Sequence, residues 1–300
     1  MNIKPWFKTV RVRFLLASVI SVSIGLTVAL WKGYAIDPIH ALLTYAGVIA
    51  LHASVDLLND YWDYRLGIDK ATRRTPFSGG TGVLPENMLK PESVYKVGLI
   101  MLVIGAIIGL YFVAVRGLMI ALILAFAVVS VYLYSTNIVM VGLGELFVTV
   151  KGTMIVLGTY YVQVGTISIE PLYVGIIAGI LSTTVLFINS FPDYNADKAS
   201  GRRTLVITLG LERAAKVFIA FPLLAYILII VGVLSKITPI YTLLSFVALP
   251  YALYAYITLL KEYNNSNIER IIPSMSNTVK FSRVTGIIIA LSFVMALIFR

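Results

Sequence analysis

Nine apolar stretches, each long enough to cross a lipid bilayer, divide this chain of 300 residues. A membrane-spanning helix needs about 20 predominantly apolar residues, and it satisfies its backbone polar groups internally. The stretches fall at about 14–32, 38–58, 94–115, 117–134, 145–162, 172–190, 214–234, 238–260 and 281–299. The sequence therefore predicts an all-α bundle of nine transmembrane helices that forms a single membrane domain over residues 1–300.

The composition excludes a soluble globular protein. Charged residues make up 13% of the chain and hydrophobic residues 59%, whereas soluble domains carry about 25% charged residues. The absence of cysteine excludes disulfides, thiolate metal ligands and a cysteine nucleophile. The first apolar run, from Phe14 to Trp31, lacks a small-residue cleavage site, so we expect no cleavable signal peptide.

The basic residues are distributed unequally between the two sides of the predicted bundle. They concentrate before the first stretch and in segments 59–96, 191–216 and 261–283, whereas the opposite side carries Lys32, Arg116, Lys236 and Arg300. The positive-inside rule then places the N-terminus and these segments in the cytoplasm, in a multi-pass protein of the cell membrane. Because this rule accounts for most of the net charge of +10, we predict no nucleic-acid partner.

One polar motif occurs twice, each time where an apolar stretch ends. The first copy is Asn59-Asp60-Tyr61-Trp62-Asp63-Tyr64 and the second is Asn189-Ser190-Phe191-Pro192-Asp193-Tyr194. Segments 69–75 and 197–204 continue the match as Asp-Lys-Ala, then Ser or Thr, then Arg-Arg-Thr, with one extra glycine in the second copy. Both copies lie on the same predicted side, which indicates a parallel repeat. We predict halves of about 1–140 and 141–260, followed by a C-terminal helix.

The acidic residues of the motif have the spacing of a cation site. Asn59 and Asp63 are four residues apart, as are Asp193 and Asp197, and this spacing puts side chains one helical turn apart. Mg²⁺ prefers such oxygen ligands and is commonly completed by substrate phosphates. The predicted metal ligands are Asn59, Asp60, Asp63, Asp69, Asp193 and Asp197. The alternative is a set of helix-end residues that face water, and the presence of two matched pairs favours the metal.

The basic residues next to these carboxylates are suited to a phosphate or diphosphate. Planar guanidinium groups bind phosphate oxygens bidentately, and Lys and Arg occur in register with the acidic residues in both copies. The alternative is the positive-inside bias alone. The predicted diphosphate-binding residues are Arg65, Lys70, Arg73, Arg74, Lys198, Arg202 and Arg203.

Three of the ionisable residues inside predicted spans are candidates for a binding site. Lys151 falls within the fifth span, and an intramembrane charge is costly and usually functional. It is predicted to contact a diphosphate or an acceptor, the alternative being that it snorkels to the interface. His52 and Asp56 precede Asn59 and Asp63 by seven residues on the same helix face. They could bind an aromatic acceptor or simply hydrogen-bond inside the bundle.

The two motifs resemble the NDxxDxxxD and DxxxD signatures of the UbiA superfamily of intramembrane prenyltransferases. Asp60 and Asp63 match the first signature, but the next carboxylate comes six residues later, at Asp69, instead of four. That spacing is similar to the menaquinone-type branch, which prenylates 1,4-dihydroxy-2-naphthoate. The glycine-containing segments 78–82, 142–146 and 158–163 point the same way. The 4-hydroxybenzoate branch has an Arg-Pro pair after its first motif, from which Arg74-Thr75-Pro76 departs.

The resemblance implies a Mg²⁺-dependent transferase that moves a polyprenyl group from its diphosphate to an aromatic acceptor in quinone biosynthesis. The candidate catalytic residues are then Asp63, Asp193, Asp197 and Lys151, and the donor enters from the lipid bilayer. Within the family the alternative acceptor is a lipid, geranylgeranylglyceryl phosphate, used in ether-lipid synthesis. A cation or anion transporter is the alternative of a different class. Transporters place charges at the membrane midplane, often with inverted repeats, whereas these charges lie at one boundary.

Overall fold

A computed structural model describes residues 3–264 and 267–299, and every regular element in these ranges is helical. This confirms the predicted all-α membrane bundle. Nine long helices lie within the described ranges: α1 (Val12–Trp31), α2 (Pro38–Arg65), α3 (Pro91–Arg116), α4 (Leu118–Ile138), α5 (Gly144–Val164), α6 (Ile169–Asn189), α7 (Leu211–Leu234), α8 (Ile240–Glu262) and α9 (Ile268–Ile298).

Eight of these described helices are long and apolar enough to cross a membrane, and α5 is the exception. The described ranges therefore contain nine long helices, the number of spans predicted, but only eight of these helices are apolar enough to be membrane spans. Helix α5 has 21 residues and carries Glu145, Lys151 and Gln163 among them. It packs against α1 and α6 inside the bundle, where Glu145 accepts from the backbone N–H of Leu205 at 2.8 Å and Gln163 accepts from that of Asp37 at 2.9 Å.

Helix α2 is longer than the predicted span 38–58 and contains the whole first motif. It begins at Pro38, and the Asp37 side chain caps it by accepting from the backbone N–H groups of Ile39 at 2.8 Å and His40 at 3.0 Å. It ends at Arg65, and Gly67 follows with a φ of 79°. The first motif is therefore helical, with its side chains in the last two turns of α2.

The second motif is not a continuation of its helix. Helix α6 ends at Asn189, and a separate short helix, Tyr194–Ala199, begins after Asp193. Pro192 lies in the turn between them, where its missing N–H costs no helical hydrogen bond. The backbone N–H of Asp197 donates to the Asp193 carbonyl at 2.8 Å, which keeps the two carboxylates one turn apart.

Close packing of α5 on α6 fixes the centre of the bundle. A Cβ atom added at Gly152 would lie 2.6 Å from the Cα atom of Gly179, and one added at Gly175 would lie 2.9 Å from the Thr153 carbonyl oxygen. Small residues of this kind let the backbones of membrane helices approach each other. Helix α9 packs against α1, α6 and α8. These helices surround the space into which the ends of α2 and α6 both face.

Candidate active site

The ends of α2 and α6 open onto one large internal cavity of about 440 Å³. Its walls come from α1 to α6 and from α9. Four of the predicted metal ligands line its polar end: Asn59, Asp63, Asp193 and Asp197. The structure thus brings the matched pairs of the two motifs together around one space.

Arg202 connects the carboxylates of the two motifs. Its Nη1 atom donates to Asp197 Oδ1 at 3.0 Å, and its Nη2 atom donates to Asp63 Oδ1. Asn59 Nδ2 donates to the other oxygen of Asp63 at 3.0 Å, and Ser135 Oγ donates to Asn59 Oδ1 at 2.8 Å. The buried guanidinium therefore lies between the two acidic pairs, with a fixed network behind Asp63.

Asp193 is held by the loop that follows the first motif. Thr72 Oγ1 donates to Asp193 Oδ1 at 2.5 Å, and the backbone N–H of Gly79 donates to Oδ2 at 3.2 Å. The Gly79 φ of +83° lies in the left-handed region, which an L side chain adopts only with strain. The glycine-rich segment 78–82 therefore serves at least to carry a backbone donor across to the second motif.

Burial changes the acid strength of the carboxyl groups outside the spans. It raises the pKa of Asp193 to about 7, against the opposing hydrogen bond from Thr72. It also raises the pKa of Asp197, although Arg202 acts in the opposite direction. Burial and the carboxylates of Asp60 and Asp63 raise the pKa of Asp69 to about 8. Such groups hold their negative charge at a cost that a bound cation would reduce.

Asp60 and Asp69 do not line the cavity, unlike the other four predicted ligands. Arg11 Nη2 donates to Asp60 Oδ1 at 3.0 Å, and Thr81 Oγ1 donates to the other oxygen of Asp60. Asp69 is buried beside Gly80, and its Oδ2 atom has no hydrogen-bond partner. Four of the six predicted ligands therefore face the cavity, and these two carboxylates are turned to other partners or to none.

Arg11 is a site residue that the sequence interpretation missed. It lines the cavity next to the motif, and its φ of 49° lies in the left-handed region, which is uncommon for a residue with a side chain. Burial would lower the pKa of its guanidinium, but the nearby carboxylates of Asp60, Asp56 and Asp63 together outweigh burial and raise the pKa. The sequence held no local signal for it, because any basic residue before the first span satisfies the positive-inside rule.

Of the seven predicted diphosphate-binding residues, Arg202 alone is buried at the cavity. The other six are exposed outside its walls: Arg65, Lys70, Arg73, Arg74, Lys198 and Arg203. The two lysines keep the symmetry of the repeat. Lys70 Nζ lies 5.1 Å from the ring centre of Tyr64, and Lys198 Nζ lies 5.6 Å from that of Tyr194.

His52, Asp56 and Lys151 line the same cavity, deeper than the motif carboxylates. His52 Nδ1 shares a hydrogen bond of 2.7 Å with Ser18 Oγ, and His52 Nε2 lies 4.0 Å from Asp56 Oδ2. An oxygen of Asp56 remains buried without a partner. The polar groups of α1, α2 and α5 thus form one patch in an otherwise apolar wall.

The donor types at the polar end fit a hard divalent cation. In the described ranges no three acidic or histidine side chains are grouped closely enough to enclose a metal ion. Mg²⁺, however, usually takes only one or two carboxylates and completes its shell with water and phosphate oxygens. Asn189, the counterpart of Asn59 in the repeat, lines the cavity with a buried amide oxygen that has no partner. This unpaired oxygen beside Asp193 is suited to a cation ligand.

An internal cavity with carboxylates and a guanidinium at one end, and apolar walls beyond, is a type of site found in membrane-embedded enzymes. Residues 18–297 match the model of the UbiA prenyltransferase family. The chain belongs to this family, as its motifs predicted, and it is a prenyltransferase.

Known proteins resemble the chain in sequence and in fold. The 1,4-dihydroxy-2-naphthoate octaprenyltransferase of Escherichia coli K12 is 31% identical over 218 residues, covering 69% of each chain. UbiA prenyltransferase domain-containing protein 1 of Xenopus tropicalis is 28% identical over 218 residues, so the match spans less than two thirds (59%) of that relative. A UbiA homolog from Archaeoglobus fulgidus, solved with GPP and Mg²⁺, has a TM-score of 0.62, 14% identity and coverage of 95% of this chain and 99% of its own.

Proposed function

We propose that this protein transfers a polyprenyl group from polyprenyl diphosphate to a hydroxylated aromatic acid of the 1,4-dihydroxy-2-naphthoate type, with Mg²⁺ as cofactor. The observation that carries the proposal is that Arg202 joins Asp63 and Asp197 at the polar end of the cavity, which Asp193 also lines. The similarity to the Escherichia coli naphthoate octaprenyltransferase supports the acceptor class.

The polar end of the cavity provides the groups that a diphosphate needs. Asn59, Asp63, Asp193 and Asp197 would hold Mg²⁺, which when bound neutralises charge on the diphosphate. Arg202 can bind phosphate oxygens with the same two N–H groups that now contact Asp63 and Asp197. Stabilising the departing diphosphate favours cleavage of the allylic carbon–oxygen bond, because the leaving group carries the developing negative charge.

The deeper polar patch is suited to the acceptor. Lys151 lines this part of the cavity, and a carboxylate bound there would pair with its ammonium group, because attraction between opposite charges is strong in a low-dielectric wall. His52, oriented by Ser18 at 2.7 Å, and Asp56 can accept a proton from a phenolic hydroxyl or from the alkylated ring. The apolar walls around this patch exclude water, which would otherwise capture the allylic cation.

The site is proposed to face the cytoplasm. The motif loops carry most of the basic residues, so the positive-inside rule supports a site that faces the cytoplasm of the cell. A soluble aromatic acid would enter there, whereas the donor would come from the bilayer.

The proposal is tested by incubating the purified protein with labelled prenyl diphosphate, Mg²⁺ and a panel of acceptors. We expect prenylated dihydroxynaphthoate as the product and none after chelation of divalent metal. Transfer to geranylgeranylglyceryl phosphate, with none to any hydroxylated aromatic acid, would replace the acceptor class by a lipid. Movement of Mg²⁺ or an anion across proteoliposomes, with no product from any acceptor, would replace the enzyme by a transporter.

A further inference from the structure

Arg202 reaches the cavity from a loop between two short helices. The helix Tyr194–Ala199 precedes this loop, residues 200–204, and the helix Leu205–Leu209 follows it. We call it the Arg202 loop. Loops move more than the elements that they connect, yet Arg202 is 9% exposed and pairs with two carboxylates. A side chain buried in this way keeps its position only if its loop is anchored.

Glu145, the second residue of α5, holds the end of the Arg202 loop. Its Oε1 atom accepts the backbone N–H of Leu205 at 2.8 Å, between residues 60 positions apart in the chain. Because Leu205 begins its helix, its N–H group has no partner within that helix. The helix's own cap, Thr204 Oγ1, accepts from Ile207 at 3.3 Å instead. Glu145 therefore satisfies a donor that nothing local satisfies.

The segment before Glu145 contacts the same loop at a second place. The backbone N–H of Arg203 donates to the Val139 carbonyl oxygen at 3.2 Å. A Cβ atom added at Gly142 would lie 3.1 Å from the Arg203 carbonyl oxygen, and the φ of Gly142 is +83°. A side chain at Gly142 would thus be both crowded and strained. Two backbone hydrogen bonds to segment 139–145 follow Arg202 within three residues.

The anchor itself has a fixed position. Thr183 Oγ1, from α6, donates to the carbonyl oxygen of Glu145 at 3.1 Å, and Thr149 Oγ1 donates to the same oxygen at 3.1 Å. Helix α6 ends at Asn189 and leads into the second motif. Glu145 therefore ties the Arg202 loop to the helix that carries the second motif.

We propose that Glu145 is a positioning residue, which holds the Arg202 loop so that the guanidinium meets the diphosphate of the donor. The inference rests on the proposed prenyl diphosphate donor. Glu145 also lines the cavity, so direct binding of a cation is the competing role. An anchor needs an acceptor oxygen for the Leu205 N–H, whereas a cation ligand needs the negative charge. Because a misplaced binding group loses much of its effect, freeing the loop weakens the binding of the donor.

The test measures the Kd of geranylgeranyl thiolodiphosphate, a donor analogue that resists cleavage, with Mg²⁺ present, and the KM of geranylgeranyl diphosphate. Glu145→Ala should raise both constants by about tenfold or more while the KM of the aromatic acid changes little. Glu145→Gln keeps an oxygen for the Leu205 N–H, so it should stay within about threefold of the wild type. Glu170→Ala is the matched control, because Glu170 is the second residue of α6, accepts from Lys32 and lies outside the cavity.

A double-mutant cycle reports whether Glu145 acts through Arg202. Once Arg202→Gln has removed the guanidinium, Glu145→Ala should weaken analogue binding by less than about twofold more, since an anchor has no effect without the group that it positions. Gly142→Ala crowds the Arg203 carbonyl oxygen without changing any charge, and it should also weaken analogue binding. This variant keeps the proposal testable if Glu145→Ala does not fold.

The outcomes separate the positioning role from the function on which it rests. A loss in Glu145→Gln as large as that in Glu145→Ala would make the charge the essential feature and Glu145 a direct ligand. Equal losses from Glu145→Ala with and without the Arg202 guanidinium, or wild-type binding in Gly142→Ala and Glu145→Ala, would also overturn the proposal. In these cases prenyl transfer still stands. No transfer by the wild type from any prenyl diphosphate would overturn the proposed function instead.

Discussion

The guanidinium of Arg202, from the second motif, lies against the carboxylate of Asp63, from the first. The same side chain also binds Asp197 at 3.0 Å, so one cation joins residues 139 positions apart in the chain. A buried charge with two buried partners holds its geometry firmly, because loss of any partner leaves an uncompensated charge. A diphosphate that replaces one carboxylate as the partner of Arg202 would free that carboxylate for a metal.

Replacing Asp63 or Asp193 by alanine should remove prenyl transfer while leaving the fold intact. We expect a loss of at least ~100-fold in kcat, the size typical of losing an electrostatic partner of the transition state. Glu212→Ala is the matched control, because Glu212 is an exposed acidic residue paired only with Lys216 in its own helix. Near-wild-type turnover in both site variants, or without divalent metal, would contradict the role of these carboxylates.

Exchanging Arg202 for lysine should lower activity although the charge is kept. Lysine carries a single ammonium group and cannot reproduce the two-pronged contact with Asp63 and Asp197. We expect kcat/KM for the donor to fall by about tenfold or more. Arg203→Lys, a neighbouring change at an exposed position outside the cavity, should stay close to wild type. Equal losses in the two variants would indicate a general effect of loop charge.

Removing the imidazole of His52 should affect the acceptor more than the donor. One uncharged polar contact contributes about 1–3 kcal/mol, so we expect a tenfold to hundredfold fall in kcat/KM for the aromatic acid. The KM for prenyl diphosphate should change little, because His52 lies two helical turns from Asn59. His40→Ala is the control, since His40 bonds to Tyr111 at 3.1 Å outside the cavity. Equal effects on both substrates would reject an acceptor role.

Single cysteines can report the orientation without background, because the native chain has none. Asn87→Cys and Ala199→Cys place thiols at exposed positions near the two motifs, whereas Ser235→Cys lies in the connection between α7 and α8. In intact cells an impermeant thiol reagent should label Ser235→Cys and reach the other two only after permeabilisation. The reverse pattern would overturn the cytoplasmic site. Ser78, in the glycine-rich segment, is buried and is a poor reporter.

Arg202 and Arg73 occupy the same place in the two copies of the motif, but local sequence does not reveal that their surroundings differ. Both follow a motif carboxylate and a Lys-Ala pair, yet Arg202 enters the cavity and Arg73 is exposed. The extra glycine of the second copy, Gly201, has a φ of +84° and ends the short helix, and the Arg202 N–H then donates to the Asp197 carbonyl at 3.0 Å. This turn directs Arg202 back toward the carboxylates. The glycine is visible in the sequence, but the direction of the turn requires the helix that precedes it.

The sequence by itself determined the helical membrane bundle and the positions of the acidic pairs. Apolar runs and i,i+4 spacings are properties of a single helix. The bilayer requires its spanning segments to be helical whatever their neighbours are. Tertiary structure decided which polar groups meet. It joined Asp60 to Arg11 and excluded it from the cavity, and it packed Phe112 of α3, Ile120 of α4 and Val162 of α5 into one buried cluster. These contacts depend on how helices that are distant in sequence pack against each other. No residue pattern within a single helix reveals which side chains it will meet on another helix.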